Sequence, residues 1–150
     1  MAMEMFVLSD KQLSSIKDWQ SAIDAERYPL QLEDEIPIEG LKGFLPARLR
    51  DHQTGFECAH WPAEEFMREV PQVNFGHDWK YVLAFRWIGD FNELQAAWMA
   101  GTAYASATDG VVFDDWEGKI RTPDEARQVV QEIQRDMPRV EAIVRELRRS

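Results

Sequence analysis

The stretch from Trp79 to Asp115 limits the possible folds more than any other. It reads WKYVLAFRWIGDFNELQAAWMAGTAYASATDGVVFDD. Tyr81 to Ile88 is almost continuously apolar and rich in β-branched and aromatic residues, as a strand buried on both faces is. Gly89-Asp90 punctuates the run early enough to exclude a long helix. Arg86 interrupts it. Its expected state is a buried stem with the head in water or paired; the competing reading is an anion-binding arginine.

Asp90-Phe91-Asn92-Glu93 fits a capping box and opens a helix. That helix carries Ala96, Ala97, Ala100, Gly101, Ala103, Ala105 and Ala107, with Leu94, Trp98 and Tyr104 supplying bulk. Small residues permit close backbone approach, which accounts for Gly101 in a helix interior, where glycine costs about 1 kcal/mol against alanine. Asp109-Gly110 ends the helix, with Gly110 suited to a left-handed cap. Val111-Val112-Phe113 restarts a strand. If the two strands lie side by side and parallel in one sheet, their crossover is right-handed.

Upstream, Glu4 to Leu8 reads as a first strand. Ser9 with Gln12 forms a second capping box, so a helix is expected from Lys11 to about Arg27, with Leu13, Ile16, Trp19 and Ile23 on one side. Pro29 stops it, and Leu30-Gln31-Leu32 is a short strand. Gly40 to Trp61 reads as a hairpin with Asp51 to Gly55 as its turn, and Pro46 marks a sheet edge or bulge. Pro62 starts a short helix, Ala63 to about Val70, and Pro71 to Asp78 is a loop. Trp116-Glu117-Gly118 is a turn. Thr122-Pro123-Asp124-Glu125 opens the last helix with a cap, an N1 proline and acidic residues. Its apolar positions Ala126, Val130, Ile133, Met137, Val140, Val144 and Leu147 alternate steps of four and three, with a kink expected near Pro138. Such a stripe faces the chain's own sheet or a second copy. The expected fold is one α+β domain: a two-layer sandwich of a mixed sheet of about five strands, with helices mainly on one face.

A chain of 150 residues, with six Trp and eight Phe, can bury a substantial core. No apolar run approaches a membrane span, and MAMEMFVLSDK lacks the pattern of a signal peptide. One cysteine allows no internal disulfide, so cytoplasmic residence is expected. The net charge is −10, and the carboxylates concentrate before residue 119: residues 1–118 hold 21 acidic against 9 basic side chains. That balance disfavours nucleic-acid binding, which relies on Lys and Arg at phosphates, and suits either solubility or a basic partner.

The sequence offers little catalytic chemistry. There is no HExxH, CxxC, GxGxxG, P-loop or GxSxG pattern, so no metal or cofactor is expected. Cys58, His60 and His77 are the candidates for a small enzyme or ligand site, with Cys58 as nucleophile and a histidine as base. Against that, a lone cysteine between apolar strand residues reads as a small buried hydrophobe. Two acidic clusters are the candidate partner-binding residues: Glu33, Asp34 and Glu35, and Asp114, Asp115 and Glu117 around Trp116. Solvated turns explain the carboxylates equally well, and Trp116 has the alternative role of covering a sheet edge.

Gly55-Phe56-Glu57 after a hairpin turn, the alanine-rich helix from Asp90 to Gly110, and Gly110-Val111-Val112-Phe113-Asp114 before a final helix together resemble immunity-type proteins of bacterial polymorphic-toxin and secretion-effector pairs. The resemblance covers about the latter two-thirds of the chain. It implies a non-enzymatic protein that binds and blocks one cognate toxin, and it carries no catalytic residues. An acidic surface would speed encounter with a basic toxin. The expected assembly is a monomer or a homodimer through the last helix.

Overall fold

A computed structural model of the chain describes residues 2–88 and 90–149, with side chains described as far as Asp136. The elements are β1 (Met3–Ser9), α1 (Ile16–Ala25), β2 (Leu30–Leu32), β3 (Lys42–Leu49), β4 (His52–Pro62), α2 (Ala63–Glu69), β5 (Tyr81–Trp87), α3 (Phe91–Thr108), β6 (Val111–Asp114), β7 (Lys119–Arg121) and α4 (Pro123–Arg149), with one turn of 3₁₀ helix at Ile38–Gly40. The α+β class holds. The sheet differs from expectation: it has seven strands in the order β2-β3-β4-β5-β1-β6-β7, and every pairing is antiparallel.

The reason lies at the start of the chain. β1 inserts between β5 and β6, pairing Phe6 with Ala84 on one side and with Phe113 on the other. β5 and β6 therefore run the same way but never touch, and the sheet is not mixed. β1 can hold the centre because its residues Met5 to Ser9 are all buried, with Met5 and Val7 under one core and Phe6 and Leu8 under another. A seventh strand, Lys119–Arg121, escapes sequence reading because three residues with one apolar member carry no alternation.

α3 lies over β1, β4 and β5 and touches both α1 and α4. Surrounded this way, it is apolar on all sides, and Ala96, Ala97, Ala100, Gly101, Ala103 and Ala105 are all buried. A Cβ on Gly101 would fall 2.4 Å from the Met5 methyl, so the close approach expected of it is real. Gly110 has a different task from the one expected. Asp109 takes the left-handed conformation (φ 54°), and Gly110 is needed because a Cβ there would lie 2.3 Å from the Leu8 carbonyl oxygen.

The centre of the larger core is Trp19. It is fully buried, its ring packs edge-on to Tyr104 and Phe85, and its Nε1 donates to the Ala100 carbonyl at 2.9 Å. The helix that carries it starts later than expected. Ser9 ends β1 and donates its hydroxyl to the Lys11 carbonyl, so the cap falls to Ser15, which accepts from the Asp18 N–H. Gln20, on the same helix, accepts from the Leu32 N–H at 2.7 Å and donates to the Leu30 carbonyl at 2.9 Å. Its amide pairs with edge strand β2 as a further strand would, so that edge is not left open.

The hairpin is tighter than expected. Leu49 pairs with His52, so Arg50-Asp51 is the whole turn, and Gly55 sits inside β4 opposite Pro46. Gly55 is required there twice over: it takes φ 155°, which favours glycine, and a Cβ would meet the Leu45 carbonyl and the Phe44 ring at 2.5 Å each. Pro46 lies just beyond the reach of β2, which pairs only with Ala47 to Leu49, so its missing N–H is harmless.

α1, α3 and α4 cover one face of the sheet. The two-layer expectation is incomplete, because α2 and the loop after it cover part of the other face. There Phe66 and Phe75 join Phe6, Leu8, Val82 and Phe113 in a second core. Thr122 and Glu125 close a reciprocal capping box at the start of α4, at 3.0 and 3.2 Å. The first part of α4 buries Ala126 and Val130, chiefly against α3 rather than the sheet. α4 runs as one helix from Pro123 to Arg149, so Pro138 does not break it as the sequence allowed. The side chains of the seam from Met137 onward, and with them a dimer built on that seam, lie outside what is described. No described helix is long and apolar enough to cross a membrane.

Candidate protein-binding site

The β6–β7 connection is built around one carboxylate. Asp114 ends β6, is nearly buried, and accepts from the N–H groups of Trp116 (3.1 Å) and Glu117 (3.4 Å). Gly118 donates its N–H to the Asp114 carbonyl at 2.8 Å and takes φ 66°, which favours glycine. Arg121 closes the turn from the far side, reaching Glu117 at 2.8 Å and Asp114 at 3.4 Å. On this fixed turn the Trp116 side chain stands 73 % exposed. It does not cover the sheet edge.

The four residues singled out here thus divide by task. Asp114 and Glu117 hold the turn; Asp115 and Trp116 face solvent. The other acidic cluster is elsewhere. Glu33, Asp34 and Glu35 follow β2, at the opposite edge of the sheet from β6–β7. Six strand spacings at about 4.8 Å separate the two edges, on the order of 30 Å. Glu33 accepts from the Glu35 N–H at 3.3 Å, a local turn contact. The two clusters do not form one patch.

Cys58, His60 and His77 do not converge either. Cys58 is buried in the helix-side core, and burial pushes its thiol up to about 12. His60 follows two residues later, and desolvation lowers its pKa. His77 lies with α2 and its loop on the other side of the sheet, 2.6 Å from Asp10 and edge-on to Trp79. Among the described residues, no three His, Cys, Asp or Glu side chains are placed to hold a metal ion.

Sequence reading missed the surface next to the turn. Phe44, Glu57, Arg86 and Glu4 form one row across β3, β4, β5 and β1, on the side away from the helices. Phe44 is 57 % exposed, and Arg86 is 3.9 Å from Glu57, so the arginine is paired and solvated, as its milder reading anticipated. Next to this row, Ala59 and Ala84 face each other across β4 and β5. With Phe6, Trp61 and the charged row they line a hollow of about 280 Å³. The signal available in sequence was alternation: Phe44, Glu57 and Arg86 each neighbour a core residue and so point the other way.

Compared with known protein families, curated proteins and solved structures, the chain shows no significant match to any.

Proposed function

We propose that this chain is a protein-binding module that does no chemistry of its own, and that it acts as an immunity-type protein, neutralising a cognate and basic bacterial toxin. One observation carries the reading: a largely exposed tryptophan on an acidic turn whose backbone is held by hydrogen bonds. Exposing Trp116 to water has no benefit for folding. A turn already held by hydrogen bonds loses little backbone freedom on binding, and tryptophan is among the residue types most enriched at binding hot spots. Asp115 beside it, which has no ion pair among the described residues, favours Lys or Arg in the partner, which can also stack on the indole face. The resemblance to immunity proteins and the net charge of −10 agree with this reading.

The reading in which Cys58, His60 and His77 make an enzyme site gains no support, because it needs those groups in one pocket. Glu33, Asp34 and Glu35 belong at most to the rim of a contact centred on Trp116, since a standard interface covers about 800 Å² on each partner.

The test is co-purification with the product of the neighbouring gene, together with survival of cells expressing that product. Wild-type chain should bind and protect. Trp116→Ala should remain folded yet weaken binding by at least about 2 kcal/mol, the usual hot-spot threshold. Absence of both binding and protection would sink the proposal.

A further inference from the structure

We infer that the open half of the sheet, from Phe44 to the Trp116 turn, is a single docking face for a basic protein surface. This rests on the binding reading above and widens it from a tip to a face.

Register makes the face continuous. Phe44 pairs with Glu57, Glu57 with Arg86, and Arg86 with Glu4. Met5 pairs with Asp114, so the turn that begins at Asp115 lies level with Glu4, one strand further on. The row therefore continues into the turn without a gap.

Exposure is the second argument. Among the described residues, the large apolar side chains left exposed are Phe44, Trp61, Ile88 and Trp116. Phe44 and Trp61 stand on this face, Ile88 follows the end of β5 just past Arg86, and Trp116 is on the adjoining turn. No member of the set lies on α1, α3 or the described part of α4. Clustered exposed apolar groups rimmed by charge mark an interaction surface, whereas scattered ones need no explanation.

Size and charge select the occupant. Phe44 on β3 and the β6 turn are four strand spacings apart, about 19 Å, beyond the reach of a small molecule. At Glu57 and Arg86 the strands have neighbours on both sides, so the partner meets the middle of the row by side chains; only β3, which β2 does not reach at Phe44, leaves a strand edge open there. On the open face Glu57 and Glu4, with Asp115 on the turn beside them, stand against Arg86 and Lys42. Glu57 pairs with Arg86, whereas Glu117 is taken up by Arg121 and Lys119 on the side of Asp114 and Met5. Glu4 has no ion pair among the described residues. The matching surface carries Lys or Arg opposite Glu4 and Asp115, and one apolar side chain that enters the hollow over Ala59 and Ala84.

The test measures affinity for the product of the neighbouring gene by calorimetry, using full-length chain. The double variant Phe44→Ala/Glu4→Lys should bind at least 100-fold more weakly. Ala59→Gln, which fills the hollow, should bind about tenfold more weakly. Lys17→Glu, on the helix-covered side, should bind within twofold of wild type. Thermal melts establish that each variant is folded; if the double variant is not, Ala59→Gln and Glu57→Lys decide. Should the face variants bind within twofold of wild type while Trp116→Ala loses affinity, the contact is confined to the turn: the docking face falls and the proposed function stands. Should wild type fail to bind, both fall.

Discussion

The two faces of the sheet share the same strands and have opposite fates. On the helix-covered face, Met5, Leu45, Phe56 and Phe85 are all at most 1 % exposed. One residue along, on the other face, Glu4, Phe44, Glu57 and Arg86 lie open to water. Alternation along a strand makes this possible, because neighbouring residues answer to different surroundings. The first face is constrained by packing. The second, where α2 does not reach, keeps aromatic and charged groups that folding does not require.

Two tryptophans give that contrast its sharpest test. Trp19→Ala empties the centre of an aromatic cluster and removes the indole bond to the Ala100 carbonyl of α3. The expected cost is about 3–5 kcal/mol, which lowers the melting temperature by on the order of 10 °C. Trp116→Ala removes a similar volume from solvent and should change stability by no more than about 0.5 kcal/mol. Chemical denaturation of both variants checks this. Comparable losses would mean that the exposed turn is also a structural element, and the contrast between faces would break.

What the sequence disclosed follows the same division. Buried elements announce themselves: the run from Tyr81, the alanine-rich helix from Asp90 and the strand from Val111 fall within a residue or two of their places. Topology was less accessible, because nothing local in Glu4 to Leu8 says that it will insert between β5 and β6. Glycines misled where one residue type serves two needs. Gly55 and Gly110 read as turn and cap residues, yet both are required by a carbonyl oxygen too close to admit a Cβ. At the candidate site, Trp116 with its acidic neighbours was legible as a cluster. The row through Phe44, Glu57, Arg86 and Glu4 was not, since its members lie on four strands and meet only through register.

A smaller effect concerns what fastens the helices over the packed face. Arg127 on α4 donates to both carboxylate oxygens of Glu26 at the end of α1, at 2.8 and 2.9 Å. It also bonds Ser106 on α3 at 2.6 Å, and Asp124. The Arg127 bond holds the Glu26 carboxyl below its ordinary range, and partial burial opposes this only in part. The sign follows: a carboxyl with a depressed folded pKa adds stability that is complete above its unfolded value, near 4.3. That stability is lost as pH falls through the folded value. Glu26→Gln should cost about 1–3 kcal/mol at pH 7, the range for bonds to charged groups. It should also flatten the fall in stability below about pH 4. Urea titrations at pH 7 and pH 3 measure both; an unchanged difference between the two pH values would show that the clasp adds nothing.

Within the packed face the smallest expected effect is at Gly101, where two terms of opposite sign meet. Alanine in a helix interior is favoured over glycine by about 1 kcal/mol. The new methyl would lie 2.4 Å from the Met5 Cε and 3.6 Å from the Phe85 ring. Phe85 is at ordinary contact distance, so the clash is with the end of a flexible thioether and not with backbone. Met5 is fully buried, however, and its tip moves only by displacing neighbours. Overpacking of this kind costs about 1–3 kcal/mol. Gly101→Ala should therefore be destabilising by no more than about 2 kcal/mol, and the pair Gly101→Ala/Met5→Leu, which shortens the obstructing chain, should recover part of that. Equilibrium unfolding of the single and double variants decides which term wins. A single variant as damaging as Trp19→Ala would mean that β1 and α3 cannot part by even a few tenths of an ångström. The packed face would then be more rigid, relative to the open one, than burial alone requires.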